Sequence, residues 1–188
     1  MNFHVKGRAI VFALLVSICN FGTAYAHSLP GTVLIFSRDG AELKATIEVA
    51  LEDLVIAFPE IASLEDKPSL GGLSSADLAQ LRAYFSQHIA LQSNSVDLQV
   101  SLSHARLRQA ENDHVGEFVQ MVADLTVALP LSDQTPPLVL FYDAVMHEVR
   151  SHSATVYWRD STDDLRALAE FRYNAIDGAR QPILLEFQ

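Results

Sequence analysis

Cysteine is nearly absent from this sequence of 188 residues. The one copy, Cys19, lies in an N-terminal stretch that reads as a leader, so the rest of the chain can build no disulfide framework, thiolate metal site or cysteine nucleophile. Glycine and proline are scarce, at eight and seven residues, which excludes a collagen-like fibre and a low-complexity tail. Basic residues are few: 13 Lys plus Arg stand against 23 Asp plus Glu, for a formal charge of −10 and a pI near 5.0. That removes the positive footprint of nucleic-acid binders and of proteins that adhere to anionic membranes. Basic partners and cations stay open. What the chain does have is apolar content, 49%, enough to bury one sizeable core.

The first 26 residues carry the three parts of a secretory signal. Lys6 and Arg8 form a basic leader, an apolar run of ten residues extends from Ala9 to Ile18, and Ala24-Tyr25-Ala26 is a small-x-small cleavage site. The run is too short for an anchor, since a bilayer needs roughly 20 residues, and no later stretch is long and apolar enough to span one. Ile18 is bulky where lipidation of Cys19 would want a small residue. The expectation is cleavage before His27 and export to the periplasm or beyond. Residues 27–188 then form one domain with 11 basic and 23 acidic residues and a charge of −12, with no direct membrane insertion.

The spacing along that domain is mainly that of strands. Residues 32–37 are rich in β-branched and aromatic types, Asp39-Gly40 is a turn pair, and Leu43, Ala45, Ile47, Val49 and Leu51 share one parity while Lys44, Thr46 and Glu48 take the other. This predicts a β-hairpin with one face in the core. Residues 60–72 read as a connecting loop. Ser74-Ser75-Ala76-Asp77 has the S-x-x-D form of a helix start, and Leu78, Leu81, Phe85, His88 and Ile89 recur at helical spacing to about Leu91. His88 sits at the boundary of that stripe. Strands are expected over 96–103, 118–129, 138–149, 154–158 and 182–187. The fold predicted is an antiparallel β-sandwich of the immunoglobulin-like kind with one inserted helix at about 75–91; a mixed α+β sheet is the alternative.

Motifs for enzymatic chemistry are missing. The sequence holds no G-x-S-x-G, no G-x-G-x-x-G and no Gly-Lys phosphate loop. His147-Glu148-Val149-Arg150-Ser151-His152 approaches the zinc-protease motif, but its histidines are five apart, which on a helix turns them about 140° from one another. Trp158, Tyr157 and Phe141 are of the type and setting of core aromatics. The chain is therefore read as no enzyme.

Histidine supplies the candidate site. With residues 148–151 as a four-residue hairpin loop, His147 and His152 would oppose one another with Cβ atoms about 4.5–5.5 Å apart and share a Cu, Ni or Zn ion. Asp143, on the parity of His147, would orient a ring or act as a third ligand. At a cleaved N-terminus His27 would add its α-amine and imidazole, a pair suited to copper(II).

Four stretches, taken in order, resemble a known family: His27-Ser28-Leu29-Pro30, residues 51–58 (LEDLVIAF), residues 81–89 (LRAYFSQHI) and residues 142–149 (YDAVMHEV) leading to His152. The sequence is similar to the exported N-terminal domain of HupE/UreJ-like membrane proteins, hydrogenase and urease accessory proteins regarded as nickel permeases. The resemblance implies that His27, His147 and His152 are recurrent histidines of that domain. It also implies that a membrane partner carries out any transport, because the multi-helix permease domain would begin only beyond Gln188. The reading is an exported, non-enzymatic accessory domain that binds or delivers a transition metal to a membrane partner. The alternative is a metal-free interaction module that docks a basic partner on an acidic surface.

Overall fold

The computed structural model describes residues 29–40, 42–66, 70–129, 137–173 and 182–185. The expected leader and His27 lie outside the described residues.

The hairpin expected at Asp39-Gly40 forms between β1 (Thr32–Asp39) and β2 (Glu42–Ala50), with Gly40 at φ +60°, where a side chain would be strained. Leu43, Ala45, Ile47 and Val49 are buried along one face of β2, as the parity requires. After β2 come a short helix, α1 (Leu51–Ala57), and a 3-10 turn (Pro59–Leu64), and then β3 (Gly71–Gly72). Helix α2 (Ser75–His88) opens with the capping box read from Ser74 and Asp77: each residue's side chain accepts from the other's backbone N–H. The remaining elements are β4 (Ile89–Ser93), β5 (Val96–Leu98), β6 (Val100–Asn112), β7 (Gly116–Ala128), β8 (Leu138–Tyr142), β9 (Ser153–Arg159), β10 (Leu165–Arg172) and β11 (Pro182–Leu185).

The protein is mainly β and sandwich-like. A seven-stranded sheet has the order β10-β9-β1-β2-β7-β6-β3, and a four-stranded sheet the order β11-β8-β4-β5. All pairs are antiparallel except β1 with β9, which run parallel. One apolar cluster joins both sheets and the helices: Leu34, Ile47 and Val127 from the large sheet, Leu91 and Leu140 from the small one, Leu54 and Phe85 from α1 and α2.

Several elements differ from the sequence reading: α1 was not expected, and the strand expected over 96–103 divides into β5 and β6, which lie in different sheets, β6 running on to Asn112. The helix ends at His88 and not near Leu91, because residues 89–93 alternate buried and half-buried and pair with β8. Leu81, Phe85 and Ile89 fit a helical period, but Ile89 and Leu91 fit a strand equally well, and the neighbouring strand decides. Strand β8 stops at Tyr142 where a strand to Val149 was expected. Strand β10, LRALAEFR, lies outside the expected strands, since its residues, Phe171 apart, are strong helix formers.

Candidate functional site

The stretch from Asp143 to His152 carries three of the sequence-selected residues, and its path corrects their expected geometry. Strand β8 belongs to the small sheet and β9 to the large one, so the intervening chain crosses between sheets and forms no hairpin. It coils through consecutive turns: His147 N–H donates to Asp143 O (3.1 Å), Val149 N–H to Val145 O (2.8 Å) and His152 N–H to Val149 O (3.0 Å). His147 and His152 are therefore not cross-strand neighbours, and each has its own surroundings.

Around His152 the surroundings are closed. Thr32 at the start of β1 donates its backbone N–H to Nε2 (3.1 Å), and its hydroxyl lies 2.8 Å from the same nitrogen. A backbone N–H can only donate, so Nε2 is the acceptor, the threonine hydroxyl donates too, and the ring proton sits on Nδ1. Nδ1 then donates to Asp53 Oδ2 at 2.8 Å. With both nitrogens engaged, His152 has no free lone pair to offer a metal in this arrangement. The order Asp53–His152–Thr32 matches that of a hydrolytic relay, and a cleft of about 410 Å³ walled by Gly31, Asp53, His114 and His152 lies alongside. Thr32, however, is 1% exposed, and its own N–H occupies the nitrogen that would have to take the hydroxyl proton. The three residues act as a latch that ties β1 to α1 and to the loop entering β9.

His147 has open surroundings. Its ring lies parallel to that of His88, the last residue of α2, with centroids 4.1 Å apart and planes at 17°. Asp143 holds both rings: its Oδ1 lies 2.9 Å from His88 Nδ1, and its carbonyl oxygen 3.1 Å from His147 Nδ1. Asp143 N–H in turn donates to the His88 carbonyl (3.1 Å). Tyr84, one turn back on α2, lies 4.5 Å from the His88 ring and stacks on Phe58 at 4.7 Å. His88 and His147 form part of the wall of a cleft of about 400 Å³ with Phe58, Glu60 and Tyr84. Among the described residues, no group of three or more His, Cys, Asp or Glu side chains is placed to hold a metal ion.

Val145 adopts φ +68°, a conformation that a β-branched residue reaches only under constraint. Its N–H donates to Tyr84 Oη at 2.8 Å, so the buried phenol clamps the turn that carries His147. Burial pushes the Tyr84 phenol well above its ordinary pKa, and the Val145 N–H only partly offsets this. Tyr142 is pushed the same way, chiefly by burial. Thr32 lies beside its hydroxyl, yet among the described residues Tyr142 Oη has no hydrogen-bond partner. Both phenols keep their protons in the fold above pH 10, where the unfolded chain gives them up. Stability is thus full below about pH 10 and falls as pH rises beyond it. Melting temperatures measured from pH 8 to 11 should drop steeply above 10, with a late tyrosinate absorbance step that coincides with unfolding.

A third cleft, of about 510 Å³, is lined by Glu52, Asp53, Glu65 and Glu117 together with Leu51 and Phe118. Among the described residues no helix is long and apolar enough to cross a membrane.

No protein-family model matches the chain, and a comparison with curated proteins finds no match.

Sequence reasoning selected Asp143 and His147, which the fold brings together, and passed over His88, Tyr84, Asp53 and Thr32. His88 lies 55 residues from Asp143, and Thr32 lies 120 from His152; no spacing rule connects residues so far apart.

Proposed function

We propose that this chain is an exported, non-catalytic accessory domain that binds a transition-metal ion on imidazole nitrogen and works beside a membrane partner, in the manner of the HupE/UreJ-like exported domains it resembles. The observation that carries this reading is Asp143. A ligating histidine commonly donates its second ring N–H to a carboxylate or backbone carbonyl, and Asp143 offers one of each to two imidazoles at the wall of an open cleft. Imidazole suits Cu, Ni and Zn, and the acidic charge favours cations over anions. The complete chain should melt at a higher temperature when Cu(II), Ni(II) or Zn(II) is added. An ion present at about a hundred times its Kd stabilises the folded form by about 2.7 kcal/mol, a rise of about 5–10 °C for a domain of this size. No rise with any of the three ions would overturn the reading.

The second reading, a metal-free module, is favoured by the cleft lined by Glu52, Asp53, Glu65 and Glu117. A basic partner docked there would be released by salt and left in place by chelators.

A further inference from the structure

We propose that His88 and His147 together form a two-nitrogen site for a divalent first-row transition-metal ion, open on the cleft side. This rests on the metal-binding reading above and names the residues that carry it. The argument starts from protons. Asp143 Oδ1 and Asp143 O can only accept, so the nitrogens that meet them, Nδ1 of His88 and Nδ1 of His147, are both donors. In the neutral rings the remaining nitrogens, the two Nε2 atoms, therefore carry bare lone pairs. Neither Nε2 is hydrogen-bonded among the described residues. Neither is sealed from solvent, since Tyr142 Oη is the buried side-chain polar atom left without a partner there.

The two rings are also held side by side. They lie 4.1 Å apart at 17°, fixed to one aspartate, with Tyr84 packed against both, at 4.5 Å from His88 and 5.9 Å from His147. Metal–nitrogen bonds are about 2.0–2.1 Å and a ring nitrogen's lone pair lies in the plane of its ring, so two rings 17° from parallel do not aim at one ion as they stand; binding swings the planes apart until the two Nε2 atoms converge. Two nitrogens leave the other coordination positions to water or to an incoming donor. An ion held in this way exchanges readily, as delivery to a partner requires, whereas a structural site with four protein ligands would retain it.

The experiment titrates CuCl₂, NiCl₂ and ZnCl₂ into the full chain by calorimetry, first unmodified and then with His27→Ala, so that His27 does not contribute. The His27→Ala chain should still bind one ion per molecule, and the copper(II) complex should show two imidazole nitrogens in its electron paramagnetic resonance spectrum. In that background His88→Phe keeps a ring in the stack but removes the donor, and His147→Ala removes the other; each should weaken binding by at least about tenfold. Asp143→Asn should weaken it by about 10–100-fold, and His104→Ala, on the exposed face of β6, should leave it unchanged. Binding unaltered by both His88→Phe and His147→Ala, or lost entirely with His27→Ala alone, would overturn the site and leave the metal reading standing. An unmodified chain that binds none of the three ions would end both. The nitrogen count is read on the chain with both histidines intact, so it decides even if a variant fails to fold.

Discussion

Replacing His152 by Phe should cost this protein about 3–5 kcal/mol of stability, out of the 5–15 kcal/mol that a domain has in total. The reason is the set of groups left behind. His152 is 4% exposed and Thr32 1%, and the Thr32 N–H and hydroxyl would both lose the acceptor that they meet at Nε2. The Asp53 carboxylate would lose the Nδ1–H that it now meets at 2.8 Å. A phenyl ring fills much of the volume but satisfies none of these groups. The melting temperature should fall by about 6–20 °C, as read by circular dichroism or calorimetry. Thr32→Val, which removes only the hydroxyl, should cost about 1 kcal/mol. A His152→Phe protein that melts with the wild type would mean that the latch contributes nothing to the fold.

Gly31→Ala should destabilise by about 2–3 kcal/mol, for a reason that lies across the sheet. The φ of Gly31 is outside the left-handed region, so the backbone itself would accept alanine. The obstacle is β9: a Cβ on Gly31 would lie 2.5 Å from the Ser153 carbonyl oxygen and 2.7 Å from Ser153 Oγ. The hydroxyl can rotate away, but the carbonyl belongs to a strand whose next residue, Ala154, is in register with Thr32. Relief therefore has to separate β1 from β9 at the point where the Thr32–His152 contacts begin. The two substitutions should couple, and the double variant Gly31→Ala/His152→Phe should lose less than the sum of the single losses. Urea denaturation of the four proteins gives the coupling directly. Strict additivity, or a Gly31→Ala chain as stable as the wild type, would show that the close approach is not under constraint.

The candidate site divides along the same line as the fold. Asp143 and His147 are four residues apart, and the residue types themselves, a carboxylate near imidazoles in a chain with a single cysteine, pointed to metal chemistry. The pairing of His147 with His152 was a local inference about a hairpin. It failed because β8 and β9 enter different sheets, which no pattern within residues 138–158 reveals. His88 looked like an edge residue of an amphipathic helix, and it is one; its second role exists because the crossing segment returns to the end of α2 and hydrogen-bonds its carbonyl.

What the sequence determined by itself is what period and composition can express. The alternation of Leu43, Ala45, Ile47 and Val49 with polar neighbours specified a half-buried strand, Asp39-Gly40 its turn, and Ser74 with Asp77 the first turn of the helix, because each depends on residues within a few positions of one another. The acidic balance and the single cysteine are legible in the same direct way, from composition alone. The tertiary structure alone decided where the helix yields to β4, which strands share a sheet, that β1 runs parallel to β9, and which imidazole keeps a lone pair. Those outcomes depend on hydrogen-bond partners 55 to 120 residues distant, brought together by burial of one common core. A histidine's chemistry follows from what its two nitrogens meet, and only the folded chain supplies the partners.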